Sequence, residues 1–576
     1  MKKMALAALT LMATACTDAS ATASTPTWNL PDIHAVTIDW STCSTDLVGT
    51  TALVLGDRLR CGQMSVPRDH RHPQAGQMQV AIVRVAAADP ARRRGALFFN
   101  PGGPGETPME SLPTLARYWN DAHAGHPVHG TKRELSDVFD LVGVVPRGLK
   151  GGTTFTCTSE HLATDYQDIV ADRSEANLRT MDMFMRAIAS ACRRNPLYRF
   201  INTEQTVYDM EAARLSLGEP RLNFFGVSYG SWIGSWYAAS FPQHVGRMFL
   251  DSSMDWTSDW NTNVERLKST AHAEFVRLVA EPAANDRFRY RFGADVAAVM
   301  TQFDHLTNEV RQGWGGLWKT PESLLAARGM SDITRVEPGM TLPTLLARIG
   351  SHRFHSEPTV NHAARLEATE HAWRVMPIVY VPETFRLDER DSVLFAVMCN
   401  DMPYLGDAAY HRAKIASLAA QFPSIDGRGL EYHCVYWDGA HATRPPLSRM
   451  AAAGGILMVQ AEHDPVTPLL SAIASLDATP TARLIIADNF ESHGVFGFTD
   501  SACIEALVGN YLLRGTLPVE RTSHCEARPA DTGSSGFSDP PQAAALRKEL
   551  SAVHSQFARQ PPFVSGMNGR EPGQGR

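Results

Sequence analysis

Residues 222–241 read LNFFGVSYGSWIGSWYAASF. The opening run, 222–225, is short and mostly apolar, the pattern of a buried strand. Gly226-Val227-Ser228-Tyr229-Gly230 follows as a G-x-S-x-G, and Ile233, Trp236 and Tyr237 then recur at helical spacing. Strand, tight turn and helix together predict a nucleophile elbow. Such a turn pushes its serine into the open, and the glycines leave room where side chains would collide. The helix start adds a positive dipole end and N–H groups beside the hydroxyl. The plainer reading is a loop serine between two glycines, so the motif needs partners elsewhere in the chain.

Two strands downstream supply them. Residues 455–460 read as a strand that delivers Asp464, and residues 482–487 as one that delivers His493 beside Gly494. The order Ser228…Asp464…His493 is that of the α/β-hydrolases. The chemistry fits the residue types. A serine hydroxyl is a poor nucleophile at neutral pH until an imidazole takes its proton. A carboxylate on the other ring nitrogen fixes the tautomer and stabilises the imidazolium. His463 is a rival base, but it adjoins the acid itself. Asp251, at the end of the strand after the elbow, is a rival acid. Upstream, the strand 95–100 runs into Pro101-Gly102-Gly103-Pro104-Gly105. A glycine-rich turn leaving a central strand either brings a bare backbone N–H to a forming oxyanion or is a tight turn only.

Composition sets the wider bounds. The 576 residues are 44% hydrophobic and 20% charged, an ordinary globular balance. Lys and Arg number 54 against 61 acidic residues, a net charge of −7, which leaves no nucleic-acid footprint. Met1-Lys2-Lys3 and the short apolar run 5–15 form an export signal within residues 1–23, too short to span a bilayer. Ala13-Thr14-Ala15-Cys16 reads either as a cleavage region or as a lipobox that would lipidate Cys16. Of nine cysteines, eight lie beyond Cys16: Cys43, Cys61, Cys157, Cys192, Cys399, Cys434, Cys503 and Cys525. They fall in neighbouring couples, consistent with four local bridges in an oxidising compartment; buried free thiols are the other reading. The expected location is therefore periplasmic, secreted or lipid-anchored at the envelope.

The expected architecture is an α/β-hydrolase fold with a mostly parallel sheet and an inserted helical cap. After a mobile leader to about Trp40, a first core part covers 40–255 and the cap 256–391. A second core part covers 392–525, and 526–576 form a polar tail with one amphipathic helix at 543–558. Further strands are expected at 59–66, 78–86, 138–145 and 247–251. Helices are expected at 174–192, from a cap within 206–209 to Leu217, and at 501–513. No zinc-site spacing and no phosphate or dinucleotide loop is present, so no metal and no cofactor is expected.

These motifs carry a family resemblance. NPGGPG at 100–105, PRG at 146–148, GVSYG at the elbow, HDPVTP at 463–468, SHG at 492–494 and CIEALVGNYLLRGTLP…C at 503–525 are involved. The chain resembles the secreted bacterial tripeptidyl aminopeptidase branch of the α/β-hydrolases, related to proline iminopeptidases. The resemblance implies Ser228 as nucleophile, Asp464 and His493 as partners, and the N–H groups of Gly103 and Tyr229 as oxyanion hole. It also implies the pairs Cys43–Cys61, Cys157–Cys192, Cys399–Cys434 and Cys503–Cys525. Three departures bear on substrate preference. Val145 stands where the family has an acid, Glu106 and Thr107 follow the glycine-rich loop instead of small residues, and 273–289 lack cysteine.

Three functions compete. One is an exopeptidase acting on a peptide's free N-terminus, another an esterase using the same triad, and the third a surface protein without activity, against which the triad argues. An aminopeptidase needs a carboxylate for the substrate ammonium, because a buried unpaired charge is costly. Asp401, beside Cys399, is the expected substrate-binding acid; a helix N-cap or a surface acid is its plain reading. Trp256, Trp260, Trp314, Trp318 and Trp373 line a peptide site or form a cap core.

Overall fold

A computed structural model describes residues 28–528, except 127, 160–168, 170–171, 316–317, 376–384, 426–431 and 498. The export signal with Cys16 and the tail helix at 543–558 lie outside the described residues.

Twelve strands are described: β1 Ile38–Ser41, β2 Leu59–Pro67, β3 Gln77–Val85, β4 Ala96–Asn100, β5 Asp140–Val144, β6 Thr158–Ser159, β7 Leu222–Val227, β8 Val245–Asp251, β9 Phe385–Arg386, β10 Ile456–Ala461, β11 Ala482–Asp488 and β12 Thr522–Glu526. Ten form one sheet in the order β1-β2-β3-β5-β4-β7-β8-β10-β11-β12, and β6 pairs with β9 separately. From β5 to β12 every neighbouring pair is parallel. β1, β2 and β3 extend the sheet antiparallel, with β3 meeting β5. The central strands are mostly apolar and fully buried, as in ALFFN of β4 and ILMVQA of β10, because helices cover both faces of a parallel sheet. Site residues follow the carboxyl ends of such strands, where parallel order opens a crevice.

Between β8 and β9 the described residues are helical, from Trp260–Phe275 to the turn Ala372–Arg374. Their apolar side chains form a cluster of their own, which includes Trp314 and Trp318. Trp256 and Trp260 belong instead to the main core, and Trp373 is exposed. Of the five tryptophans, Trp260 stands against the elbow helix, 6.0 Å from the Tyr229 ring and 5.4 Å from the Trp232 ring.

Four disulfides join Cys43–Cys61, Cys157–Cys192, Cys399–Cys434 and Cys503–Cys525. The last pins the helix Ala502–Arg514 to the edge strand β12.

The structure corrects two local readings. The described part of the leader, from residue 28 to Trp40, is tied down. Val36 N–H donates to Ser216 Oγ at 2.8 Å, Arg71 donates to the Asn29 carbonyl, and β1 adds to the sheet edge. Gly62 makes that edge possible, since a Cβ there would lie 2.7 Å from Ile38 Cγ2. The helix expected to be capped within 206–209 instead spans Thr203–Ser216, with Asn202 accepting from the Gln205 N–H as its N-cap. Asp209 is spent elsewhere. It takes the buried Arg147 of the PRG motif bidentately, at 2.6 and 2.8 Å, and His70 at 2.8 Å. Arg147 also donates to the Pro67 and Arg68 carbonyls, so PRG anchors β2 to the helix Thr203–Ser216.

Candidate active site

β7 ends at Val227, and Ser228 turns the chain into the helix Tyr229–Ser240 with φ 58° and ψ −121°. A positive φ is rare for a residue with a side chain and is held only where the surroundings dictate it. Both flanking glycines are required by contact. A Cβ on Gly226 would lie 2.5 Å from the Gly230 carbonyl oxygen, and one on Gly230 would lie 2.8 Å from that of Asn100. Ser228 N–H donates to the Asp251 carbonyl at 3.0 Å, tying the elbow to β8.

The glycine-rich loop after β4 lies over this turn. A Cβ on Gly102 would lie 2.9 Å from Ser228 Cβ and 3.4 Å from Tyr229 N. Gly102 N–H is engaged by Asn100 Oδ1 at 3.0 Å, and Gly102 and Gly103 both have φ above 100°. Close approach and positive φ together demand glycine here. Glu106 closes the loop. Its side chain is largely buried and meets Arg390 Nε at 2.7 Å as an ion contact. Burial, opposed by Arg390 and reinforced by Glu110, Asp388 and Asp391, pushes its carboxyl up to about 7.

Asp464 and His493 lie past the ends of β10 and β11, neighbouring parallel strands. His493 Nδ1 lies 3.0 Å from Asp464 Oδ1 and 3.1 Å from Oδ2. Asp464 is fully buried and well supplied with donors. Val466 N–H and Thr467 N–H reach Oδ1, while Thr467 Oγ1 and Gln460 Nε2 reach Oδ2, at 2.8–3.0 Å. Burial alone would raise its pKa, but the His493 charge, the His493 contact and the two backbone donors overcome that and hold it below the usual carboxylate range.

Asp251 does a different job from the rival acid considered above. Its carboxylate accepts Val495 N–H at 3.0 Å and Phe496 N–H at 2.8 Å, and Gly494 N–H donates to Ser252 Oγ at 2.7 Å. The end of β8 therefore latches the loop that carries His493. Burial, against the Phe496 and Val495 N–H bonds, lifts Asp251 to about 6. His463, the rival base, points away to Glu274 at 3.3 Å.

Asp401 is not on a substrate-facing wall. It caps the helix Glu389–Asn400 and is 1% exposed, with both oxygens occupied. Thr203 N–H donates to Oδ1 at 2.8 Å; Thr203 Oγ1 and Trp232 Nε1 donate to Oδ2 at 2.6 and 3.0 Å. Burial and these three protein donors give Asp401 a structural role at the junction of three helices, and the ammonium-binding role expected from the sequence has no contact here that supports it. Burial raises it to about 6 against the lowering effect of Thr203, Trp232 and Arg444. Nothing local in the sequence marks Thr203 as part of the site, and Asp251 and Thr467 are legible there only as a rival acid and as a motif residue; their supporting roles depend on which chain ends meet.

Among the described residues, Cys399, His433 and Cys434 group within 4.8 Å in a metal-like set, but the two sulfurs are joined in a disulfide. That leaves one imidazole donor, which does not fit a metal centre.

Comparison with known proteins agrees with this geometry. Residues 95–323 match the family model described as alpha/beta hydrolase fold, and residues 426–525 match that of TAP-like protein. The tripeptidyl aminopeptidase of Streptomyces lividans is 26% identical over 508 residues, covering 83% of this chain and 84% of the relative. The serine protease Hip1 of Mycobacterium tuberculosis is 24% identical, covering 84% and 89%. A carboxylesterase B of Mycobacterium tuberculosis is 26% identical, covering 83% and 88%. With the sheet order and the elbow, these matches show an α/β-hydrolase fold and support a serine hydrolase that is similar to the tripeptidyl aminopeptidases.

Proposed function

We propose that the protein is an exported serine exopeptidase that removes short units from the free N-terminus of peptides. Ser228 is the nucleophile, His493 the general base and acid, and Asp464 the group that orients the imidazole and stabilises its charge once it takes the proton. His493 takes the Ser228 proton as Oγ attacks the scissile carbonyl. The resulting oxyanion is held by the N–H groups of Gly103 and Tyr229; the neighbouring Gly102 N–H is committed to Asn100. His493 then returns the proton to the leaving amine. Water, deprotonated by the same imidazole, splits the acyl-enzyme and restores Ser228.

The observation that carries this reading is the meeting of three chain segments. Ser228 N–H bonds the Asp251 carbonyl, the Asp251 carboxylate latches the loop that carries His493, and His493 pairs with the buried Asp464, so one chain of contacts links the elbow to the acid–base pair and supports the triad reading. The tripeptidyl aminopeptidase and serine protease relatives support the peptide substrate. Four disulfides support an oxidising compartment outside the cytoplasm, reached by the signal within 1–23, with Cys16 as lipid anchor if the lipobox is used. No helix among the described residues is long and apolar enough to cross a membrane.

A second reading is an esterase. The carboxylesterase B relative has the same 26% identity as the aminopeptidase, and Asp401 is engaged by protein donors. A panel of chromogenic peptides with free and blocked N-termini, with simple esters alongside, decides. The exopeptidase reading requires turnover of free-terminus peptides and little of blocked ones; preference for esters overturns it.

A further inference from the structure

The first turn of the elbow helix is held from below by a carboxylate the proposed mechanism does not use. Tyr229 and Trp232 lie three residues apart, so both face the same side of that helix. Tyr229 is buried, and its hydroxyl lies 2.6 Å from Thr203 Oγ1. Thr203 Oγ1 donates onward to Asp401 Oδ2, and Trp232 Nε1 donates to the same oxygen. Asp401 itself sits on firm ground. It caps the helix Glu389–Asn400 beside Cys399, which is bridged to Cys434, and it takes the first N–H of the helix Thr203–Ser216. Arg444 lies over the Trp232 ring at 4.9 Å and adds a cation near the carboxylate. One buried oxygen thus holds Trp232 directly and Tyr229 through Thr203, both in the turn that directly follows Ser228.

We propose that Asp401 is a positioning residue for the oxyanion hole: through Thr203 and Trp232 it fixes Tyr229, so that the Tyr229 N–H stays aimed at the developing oxyanion. Ser228 sits at a strained φ, and a strained turn keeps its geometry only while its neighbours hold it. An oxyanion donor acts in the transition state, so its misplacement lowers kcat and leaves substrate binding alone. A carboxylate that touched a substrate ammonium would behave differently, raising KM for free-terminus peptides and sparing esters. This inference rests on the serine-hydrolase reading above.

The test compares Asp401→Asn, Tyr229→Phe and the double variant with the unaltered protein, using a free-terminus peptide and an activated ester. Thermal unfolding shows that each is folded at the assay temperature. Asp401→Asn is expected to lower kcat about 10- to 100-fold on both substrates, with KM within about threefold, somewhat less than losing an oxyanion donor outright. Tyr229→Phe is expected to lower kcat by itself. The double variant is expected to fall no further than the worse single one, because both changes break one chain. Unchanged kcat in Asp401→Asn, a loss confined to the peptide, or additive losses in the double variant would each overturn the proposal. If Asp401→Asn does not fold, Thr203→Val replaces it in the same cycle with the same expectations. Ser228→Ala is run in parallel. Retained turnover there brings down the hydrolase reading and this proposal together, whereas a dead Ser228→Ala beside a fully active Asp401→Asn brings down this proposal alone.

Discussion

His493 Nδ1 meets the Asp464 carboxylate at 3.0 and 3.1 Å, and four further protein donors hold that carboxylate still. A carboxylate so supplied keeps its charge in a dry site and fixes which imidazole nitrogen carries the proton. Asp464→Asn keeps the shape but presents an amide N–H or a neutral oxygen to Nδ1. We expect kcat to fall by about 10⁴-fold, as in the equivalent change in other triads, with the circular dichroism spectrum unchanged. Less than a tenfold loss would show that Asp464 is not the orienting acid.

The elbow glycines make a prediction about stability. Gly226→Ala would set a methyl group 2.5 Å from the Gly230 carbonyl oxygen, which is backbone and has little freedom to yield. A loss of about 1–3 kcal/mol in folding stability follows from such overpacking, together with a fall in turnover as Ser228 shifts. Denaturant midpoints and kcat measured on the same preparation check it. An unchanged midpoint with full activity would contradict the packing described.

Glu106 makes a prediction about pH. Burial, with Glu110, Asp388 and Asp391 nearby, raises its carboxyl from 4.5 to about 7 despite Arg390. Below the ordinary value both folded and unfolded states hold the proton. Between there and about 7 only the folded state does, so this group's favourable contribution is lost as pH rises through that window. Glu106→Gln stays neutral throughout. Relative to the unaltered protein, it should gain roughly 1–3 kcal/mol in stability on going from pH 5 to pH 8. Unfolding curves at the two pH values test this, and parallel changes in the two proteins would rule it out.

Much of this was legible in the sequence for a physical reason. Buried parallel strands are short apolar runs, and the elbow needs glycine at fixed offsets, so 222–230, 455–464 and 482–494 announce both strand and site. The resemblance to the aminopeptidase branch rests on these same segments. The supporting residues do not announce themselves. Asp401 and Thr203 are separated by 198 residues along the chain, and their meeting under Tyr229 depends on the path of the whole fold. A carboxylate reads alike in sequence whether it faces a substrate or three protein donors. β1 was hidden because four residues, IDWS, three of them exposed, carry too little pattern to separate a strand from a leader. The cap tryptophans were ambiguous for a related reason. Spacing on helices shows which residues are buried, not whether they face a substrate or one another.

The central claim is that Ser228 is the nucleophile. Treating the folded, active protein with a fluorophosphonate and mapping the adduct by peptide mass spectrometry tests it most directly. The account predicts one phosphonylated residue, Ser228, with labelling proportional to lost activity and abolished in Ser228→Ala, a change that removes a single oxygen from a buried turn. An adduct on any other serine that tracks the loss of activity, or full turnover by Ser228→Ala, would contradict it.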